Sequence, residues 1–143
     1  MDNKLTPTLT GGCLCRQVRY TLYTGPISTR VCWCRDCQYF AAGSSTVNAG
    51  FNIDALTFVG ELADYVSTAD SGNVMHRRFC PRCGTHLFSA AEARPHLVFV
   101  RVGSLDDPGA VSPQSSIWTE SAPHWASIDR SLPCIAGQPP QIG

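Results

Sequence analysis

Cys32-Trp33-Cys34-Arg35-Asp36-Cys37 carries three thiols within six residues. A segment this short can gather three sulfurs around one centre without help from distant sequence. No stable disulfide pattern needs that crowding, whereas a metal does. Zinc takes sulfur at about 2.3 Å and prefers four tetrahedral ligands. This segment supplies three, so what fills the fourth position separates a structural staple from a reaction centre.

Four further cysteines fall in two tight pairs, Cys13 with Cys15 and Cys80 with Cys83, and Cys134 stands alone. The pair at Cys80-Pro81-Arg82-Cys83-Gly84 has the chemistry of a zinc knuckle. Its proline stiffens the loop, and Gly84 permits the turn that aims amide N–H groups at sulfur. Spacing leaves two partitions open. A ribbon-like site would join Cys34 and Cys37 to Cys80 and Cys83, leaving Cys13, Cys15 and Cys32 without a role. The other joins Cys13, Cys15, Cys80 and Cys83 in one site and gives Cys32, Cys34 and Cys37 a second metal. That one leaves only Cys134 over.

The elements that must position these groups are short and extended. Val18, Tyr20 and Leu22 alternate with Gln17, Arg19 and Thr21, the pattern of a half-buried strand. Strands are also expected over Ile27–Val31, from Leu56 to a stop at Gly60, and over Leu62–Ser67, Val74–Phe79 and Thr85–Ser89. Leu97–Val102 is nearly all apolar and reads as a central strand covered on both faces. Gln38–Gly43 and Ile53–Leu56 read as single helical turns. Ser44–Gly50 is small and polar, a stretch where a ligand could approach the backbone. Residues 1–10 read as an arm, 11–136 as one β-rich domain, and 137–143 as a Pro- and Gly-rich tail that frays.

The chain has 143 residues, of which 43% are apolar, enough for a real core. Its formal net charge of zero argues against nucleic acid held through a basic footprint. No apolar run approaches a membrane span of about 20 residues. The polar start, Met1–Thr10, predicts no secretory signal. The expected setting is the cytoplasm, where thiols stay reduced and clustered cysteines read as metal ligands.

The ordered motifs resemble a known family. They are Gly11-Gly12-Cys13-Leu14-Cys15 with Val18-Arg19-Tyr20, then the three-cysteine segment, then Arg78-Phe79-Cys80-Pro81-Arg82-Cys83-Gly84-Thr85, then Gly103-Ser104-Leu105-Asp106 and Ile117-Trp118. This series is similar to the glutathione-dependent formaldehyde-activating enzyme (GFA, or CENP-V domain) family, from about Gly11 to Trp125. The resemblance implies a mainly β, Mss4-like fold of twisted antiparallel sheets with little helix. It implies two zinc ions per chain: a structural site on Cys13, Cys15, Cys80 and Cys83, and a catalytic-type site on Cys32, Cys34 and Cys37. Three positions depart from the family pattern. Arg16 stands where glycine usually follows the first pair, Trp33 where many members carry histidine, and Ser116 where histidine is common.

Three thiolates on a zinc ion carry a net charge of −1. That makes the centre a poor generator of hydroxide and well suited to an exogenous thiol, which a metal deprotonates. The thiol could then add to a small aldehyde or run the reverse carbon–sulfur cleavage. Glutathione is the natural thiol in this setting and in the family reading. The other function class is a non-catalytic zinc module that makes protein contacts. Arg35 could offset the thiolate charge or hold a substrate carboxylate. The alternative roles are a solvated pair for Arg35 and Asp36, packing for Trp33, Trp118 and Trp125, a strand side chain for His86, and an incidental thiol for Cys134.

A metal shared by Cys13, Cys15, Cys80 and Cys83 would close a long loop and contribute folding energy directly. Cys83→Ala should therefore lower the melting temperature far more than Cys34→Ala. Equal melting temperatures would rule out this partition.

Overall fold

A computed structural model describes residues 8–141. Met1–Pro7, the bulk of the expected arm, and the last two residues of the tail lie outside the described residues. In chain order the elements are β1 (Leu9–Gly12), β2 (Arg19–Leu22), β3 (Ser28–Cys32), α1 (Arg35–Phe40), β4 (Thr46–Asn52), β5 (Leu56–Val59), β6 (Ala63–Thr68), β7 (Val74–Phe79), β8 (His86–Ala91), β9 (Leu97–Arg101) and β10 (Ser115–Ile117). A single 3₁₀ turn over Ile53–Ala55 joins β4 to β5. The fold is mainly β, as the alternation and the resemblance imply.

Two sheets form. One is antiparallel with order β1-β2-β5. The other has order β10-β3-β4-β9-β8-β7-β6. All its neighbours are antiparallel except β10, which runs parallel to β3. The core lies where the sheets meet. Val18, Tyr20 and Leu22 come from one side, and Phe51, Val98 and Val100 from the other, all fully or almost fully buried. Burying each large side chain of this set contributes about 1.5–3 kcal/mol. The Tyr20 ring meets Phe88 edge-on at 5.2 Å. Its hydroxyl reaches the Ser104 Oγ at 2.7 Å, so the buried phenol is satisfied.

β9 is the middle strand of seven, matching the expectation for Leu97–Val102. Only one of its faces is core. Side chains alternate across a strand, so Leu97, Phe99 and Arg101 point away from Val98 and Val100. These three line a cavity on the far side of the sheet.

The boundaries differ from the sequence expectation in three places. β1 begins at Leu9, inside the expected arm. Ser44–Gly50 is largely β4, because pairing to both β3 and β9 outweighs its small polar composition. Residues 133–138 lie against β10 and the segment after it. Ser116 N–H donates to Pro133 O at 2.9 Å, Ile135 N–H to Ser116 O at 2.8 Å, and Trp118 N–H to Gly137 O at 3.2 Å. The expected tail is thus anchored at its start, and Pro139 is buried.

Arg16 has φ +70°, in the left-handed region that costs an ordinary side chain. This explains why glycine suits that place in the pattern. The side chain is exposed. Arg16→Gly should raise stability by about 0.5–1 kcal/mol, the left-handed penalty less the added chain entropy of glycine. A thermal melt should move up by roughly 2–4 °C per kcal/mol. A lower melting temperature would contradict this account of the turn.

Candidate metal centres and the cavity beside them

The first cluster joins the two sheets. The turn between β1 and β2 supplies Cys13 and Cys15, and the loop between β7 and β8 supplies Cys80 and Cys83. The four sulfurs lie within 4.8 Å of one another. Cys13 and Cys15 are 3.6 Å apart and Cys15 and Cys80 are 3.7 Å apart. Four tetrahedral sulfurs about 2.3 Å from one zinc would stand about 3.8 Å apart, so the donor set fits that ion.

N–H groups surround these sulfurs. Val18 N–H points at Cys13 Sγ at 3.2 Å, while Arg82 N–H and Cys83 N–H point at Cys80 Sγ at 3.4 and 3.5 Å. Gln17 Nε2 adds a fourth at 3.5 Å. Gly84, at φ +79°, turns the chain as the knuckle pattern requires. The Thr85 hydroxyl sits 3.2 Å from Cys83 Sγ. That contact and nearby amides pull the Cys83 thiol down to about 5. A thiolate is the metal-binding form, so Cys83 favours a ligand state, while the neighbouring thiols push Cys15 the other way, up to about 11.

The second cluster is local. Cys32 ends β3, Cys34 caps α1, and Cys37 lies one turn into α1. Cys37 N–H donates to Cys34 Sγ at 3.4 Å. The three buried sulfurs lie within 4.8 Å of one another, and no further His, Cys, Asp or Glu joins them among the described residues. Contacts from the Cys32 and Cys34 thiols pull the Cys37 thiol far below its usual range, with help from Thr46 and the charge of Arg101. The same contacts push Cys32 upward. Cys134 lies elsewhere, its thiol against Leu132 O at 3.4 Å.

Gln38 fixes α1 over the cluster. Its Nε2 donates to Trp33 O at 2.8 Å and to Ser121 O at 3.0 Å, and its Oε1 accepts from Arg35 at 2.7 Å. Trp33 is buried with its ring N–H unpartnered. Arg35 also lies over the Tyr39 ring at 5.0 Å and is not part of the cavity wall. Asp36 faces Arg77 at 3.4 Å.

Cys32, Cys34 and Cys37 line a cavity of about 170 Å³ floored by the larger sheet. Four arginines border it, Arg30, Arg77, Arg94 and Arg101, against one aspartate, Asp70. None of the four stood out in the sequence. They come from different strands and loops, and only the register brings them to one face. Trp118 forms part of the wall, with φ +56°, a left-handed backbone rare for a bulky residue. Its ring N–H donates to Gln138 Oε1 at 2.9 Å. Gln138, Pro140 and Gln141 also line the cavity. Gly43, Ser44 and Ser45 do not. His86 lies between Phe40, at 4.6 Å, and Phe79, at 5.3 Å, with its Nδ1 buried and unpartnered. Trp125 is largely exposed and does not line the cavity.

Loaded with zinc, the protein should present about one readily reacting thiol, Cys134, to a colorimetric thiol reagent. A chelator should expose all eight cysteines of the chain. Rapid reaction of all eight before chelation would exclude metal ligation.

The two cysteine clusters can now be set beside known proteins. A family model described as glutathione-dependent formaldehyde-activating enzyme matches residues 8–121. A Podospora anserina protein, provisionally named a glutathione-dependent formaldehyde-activating enzyme, is 29% identical in an alignment of 133 positions that covers 85% of this chain. The chain spans 62% of that relative's length. A crystal structure of a Rhodobacter sphaeroides protein has the same fold, with a TM-score of 0.55 at 23% identity, over 73% of this chain and 92% of that one. No helix among the described residues is long and apolar enough to cross a membrane. With four-fifths of its length inside the matched region, the chain belongs to the glutathione-dependent formaldehyde-activating enzyme (GFA) family.

Proposed function

We propose that this protein is a zinc-dependent carbon–sulfur lyase of the cytoplasm, working as a thiol–aldehyde adduct synthase on glutathione and a small aldehyde. One zinc belongs to each cysteine cluster. The ion on Cys13, Cys15, Cys80 and Cys83 is structural, and Cys32, Cys34 and Cys37 form the reaction centre. One observation carries the reading: three buried sulfurs line a cavity and lack a fourth protein ligand among the described residues. A purely structural module needs a capped centre instead.

Zinc on these three sulfurs would supply an open position at which a thiol loses its proton. The protein's own groups do the rest. Cys37, held low by its neighbours, keeps the cluster anionic and ready for the ion. Gln38 locks α1 so that Cys34 and Cys37 keep their spacing to Cys32. Trp118 forms part of the cavity wall. Arg101 offsets the charge of the thiolates. The thiol sulfur adds to the aldehyde carbon, a C–S bond forms, and the carbonyl π pair moves to oxygen, which gains a proton. The reverse sequence is the lyase reaction.

Adding glutathione to the zinc-loaded protein should release about one proton per chain near neutral pH. With cobalt as the metal, the visible spectrum should change as another sulfur joins. Cys34→Ser should abolish both effects, and Cys134→Ser should leave them intact. If Cys134→Ser opens the site instead, Cys134 was its fourth ligand and the centre is structural.

A further inference from the structure

Arg30 on β3, Asn48 on β4 and Arg101 on β9 stand opposite one another in register. Partners in register share a sheet face, and this face is the cavity floor. Cys32 lies on the same face of β3, two residues from Arg30 and so about 6.6 Å along the strand. The row is thus next to the thiol cluster.

Its guanidinium groups have no carboxylate partner among the described residues, although Arg101 lies close enough to the cluster for its charge to act on Cys37. Arg101 is 7% exposed. One of its Nη atoms donates to Asn48 Oδ1 at 2.6 Å, and its buried Nε has no acceptor. Asn48 is held in turn by a 2.9 Å bond from its Nδ2 to Thr46 Oγ1. Neither Arg30 nor Arg101 makes an ion pair among the described residues. Arg77 differs, since Ser67 at 3.0 Å and Asp36 at 3.4 Å already occupy it. Burying a guanidinium without an acceptor is costly, so a protein keeps one where a ligand supplies the acceptor. A planar carboxylate, with two acceptor oxygens, is the group that a guanidinium fork matches.

We propose that Arg30, Asn48 and Arg101 form a carboxylate subsite, and that the carbonyl substrate is an aldehyde bearing a carboxylate on its carbonyl carbon, an α-oxo acid. This rests on the reading of Cys32, Cys34 and Cys37 as the reaction centre. Glutathione's own carboxylates lie across peptide bonds from its sulfur. A carboxylate on the aldehyde sits one bond from the carbon that sulfur attacks, beside the cluster where the row lies. The step is balanced without an oxidant. The C–S bond forms, the carbonyl π pair moves to oxygen, and the proton given up by the thiol is replaced by one on that oxygen. The carboxylate stays ionised throughout.

Mercaptoacetate and mercaptoethanol test the subsite directly. Both are small thiols, and only the first carries a carboxylate on the carbon that bears the sulfur, as the adduct of an α-oxo acid would. Affinities for the zinc-loaded protein are read by calorimetry and by tryptophan fluorescence, since Trp118 lines the cavity. Mercaptoacetate should bind about tenfold tighter. Arg30→Gln should erase the difference by weakening mercaptoacetate alone. Arg101→Lys, which keeps the charge and loses the fork, should reduce it too. Equal affinities in the unaltered protein, or a preference that survives both substitutions, would overturn the proposal. If the carboxylate belongs to glutathione instead, its diethyl ester binds about tenfold weaker while the two small thiols bind alike, and the assignment to the aldehyde fails. Glutathione binding with no carboxylate preference fells this inference alone. If no thiol binds, the reaction centre falls with it.

Discussion

Thiolates repel, and burial strengthens the repulsion because the surrounding medium screens charge poorly. This protein nevertheless brings seven sulfurs into two groups, each with all sulfur separations within 4.8 Å. Cys80 is fully buried, and Cys13 and Cys32 are nearly so. A cation between the sulfurs resolves the conflict, and amide N–H groups directed at Cys13 and Cys80 ease it. The rest of the structure depends on that convergence. The first group brings the turn after β1 to the loop after β7, so an ion there would hold the smaller sheet against the larger one in addition to packing. Cys13 and Cys80 belong to the same core cluster as Val18, Tyr20 and Phe51, so an ion held there would be bound as the core forms.

The larger sheet serves two ends through the period of the strand. Along β9, Val98 and Val100 face the core, while Leu97, Phe99 and Arg101 face the cavity. Along β4, Ala49 and Phe51 face the core and Asn48 faces the cavity. A slip of one residue in the β4–β9 register would exchange a valine for an arginine in the core. The apolar face therefore fixes the register, and the register aligns Arg30, Asn48 and Arg101. Specificity on one side of the sheet is enforced by hydrophobic burial on the other.

The sequence makes the cysteines legible because each pair or triple is local. A C-x-C or C-x-x-C is close in space whatever the fold, and the alternation at Val18, Tyr20 and Leu22 shows its buried face directly. Partition of the clusters was open on spacing alone, since it depends on which turn meets which loop. The arginines were not legible. Arg35 drew attention by its place between ligands, yet α1 turns it to Gln38 and Tyr39. Arg30, Arg77 and Arg101 are far apart in the chain, and nothing local distinguishes them from solvated charges. Ser44–Gly50 gave no strand signal because its residues are small and polar, and pairing to two flanking strands makes it β4, with Asn48 at the cavity. The wall made by Trp118 was hidden as well, because Trp118 is held by Gly137 and Gln138, which read as tail.

The two clusters differ in how they are held, and the difference fits a division of labour. Cys13, Cys15, Cys80 and Cys83 come from two loops of different sheets, so a ligand set there restrains distant parts of the chain. Cys32, Cys34 and Cys37 come from one strand end and one short helix, so they constrain little beyond themselves. A centre that must admit a substrate is better placed where opening it does not loosen the fold. Rigidity is then supplied from outside the ligands: Gln38 ties α1 to Trp33 and Ser121, and β10 pairs with β3 up to Cys32 itself. This sulfur site keeps its geometry through hydrogen bonds of its neighbours, with its exposed side left to the cavity and the arginines that floor it.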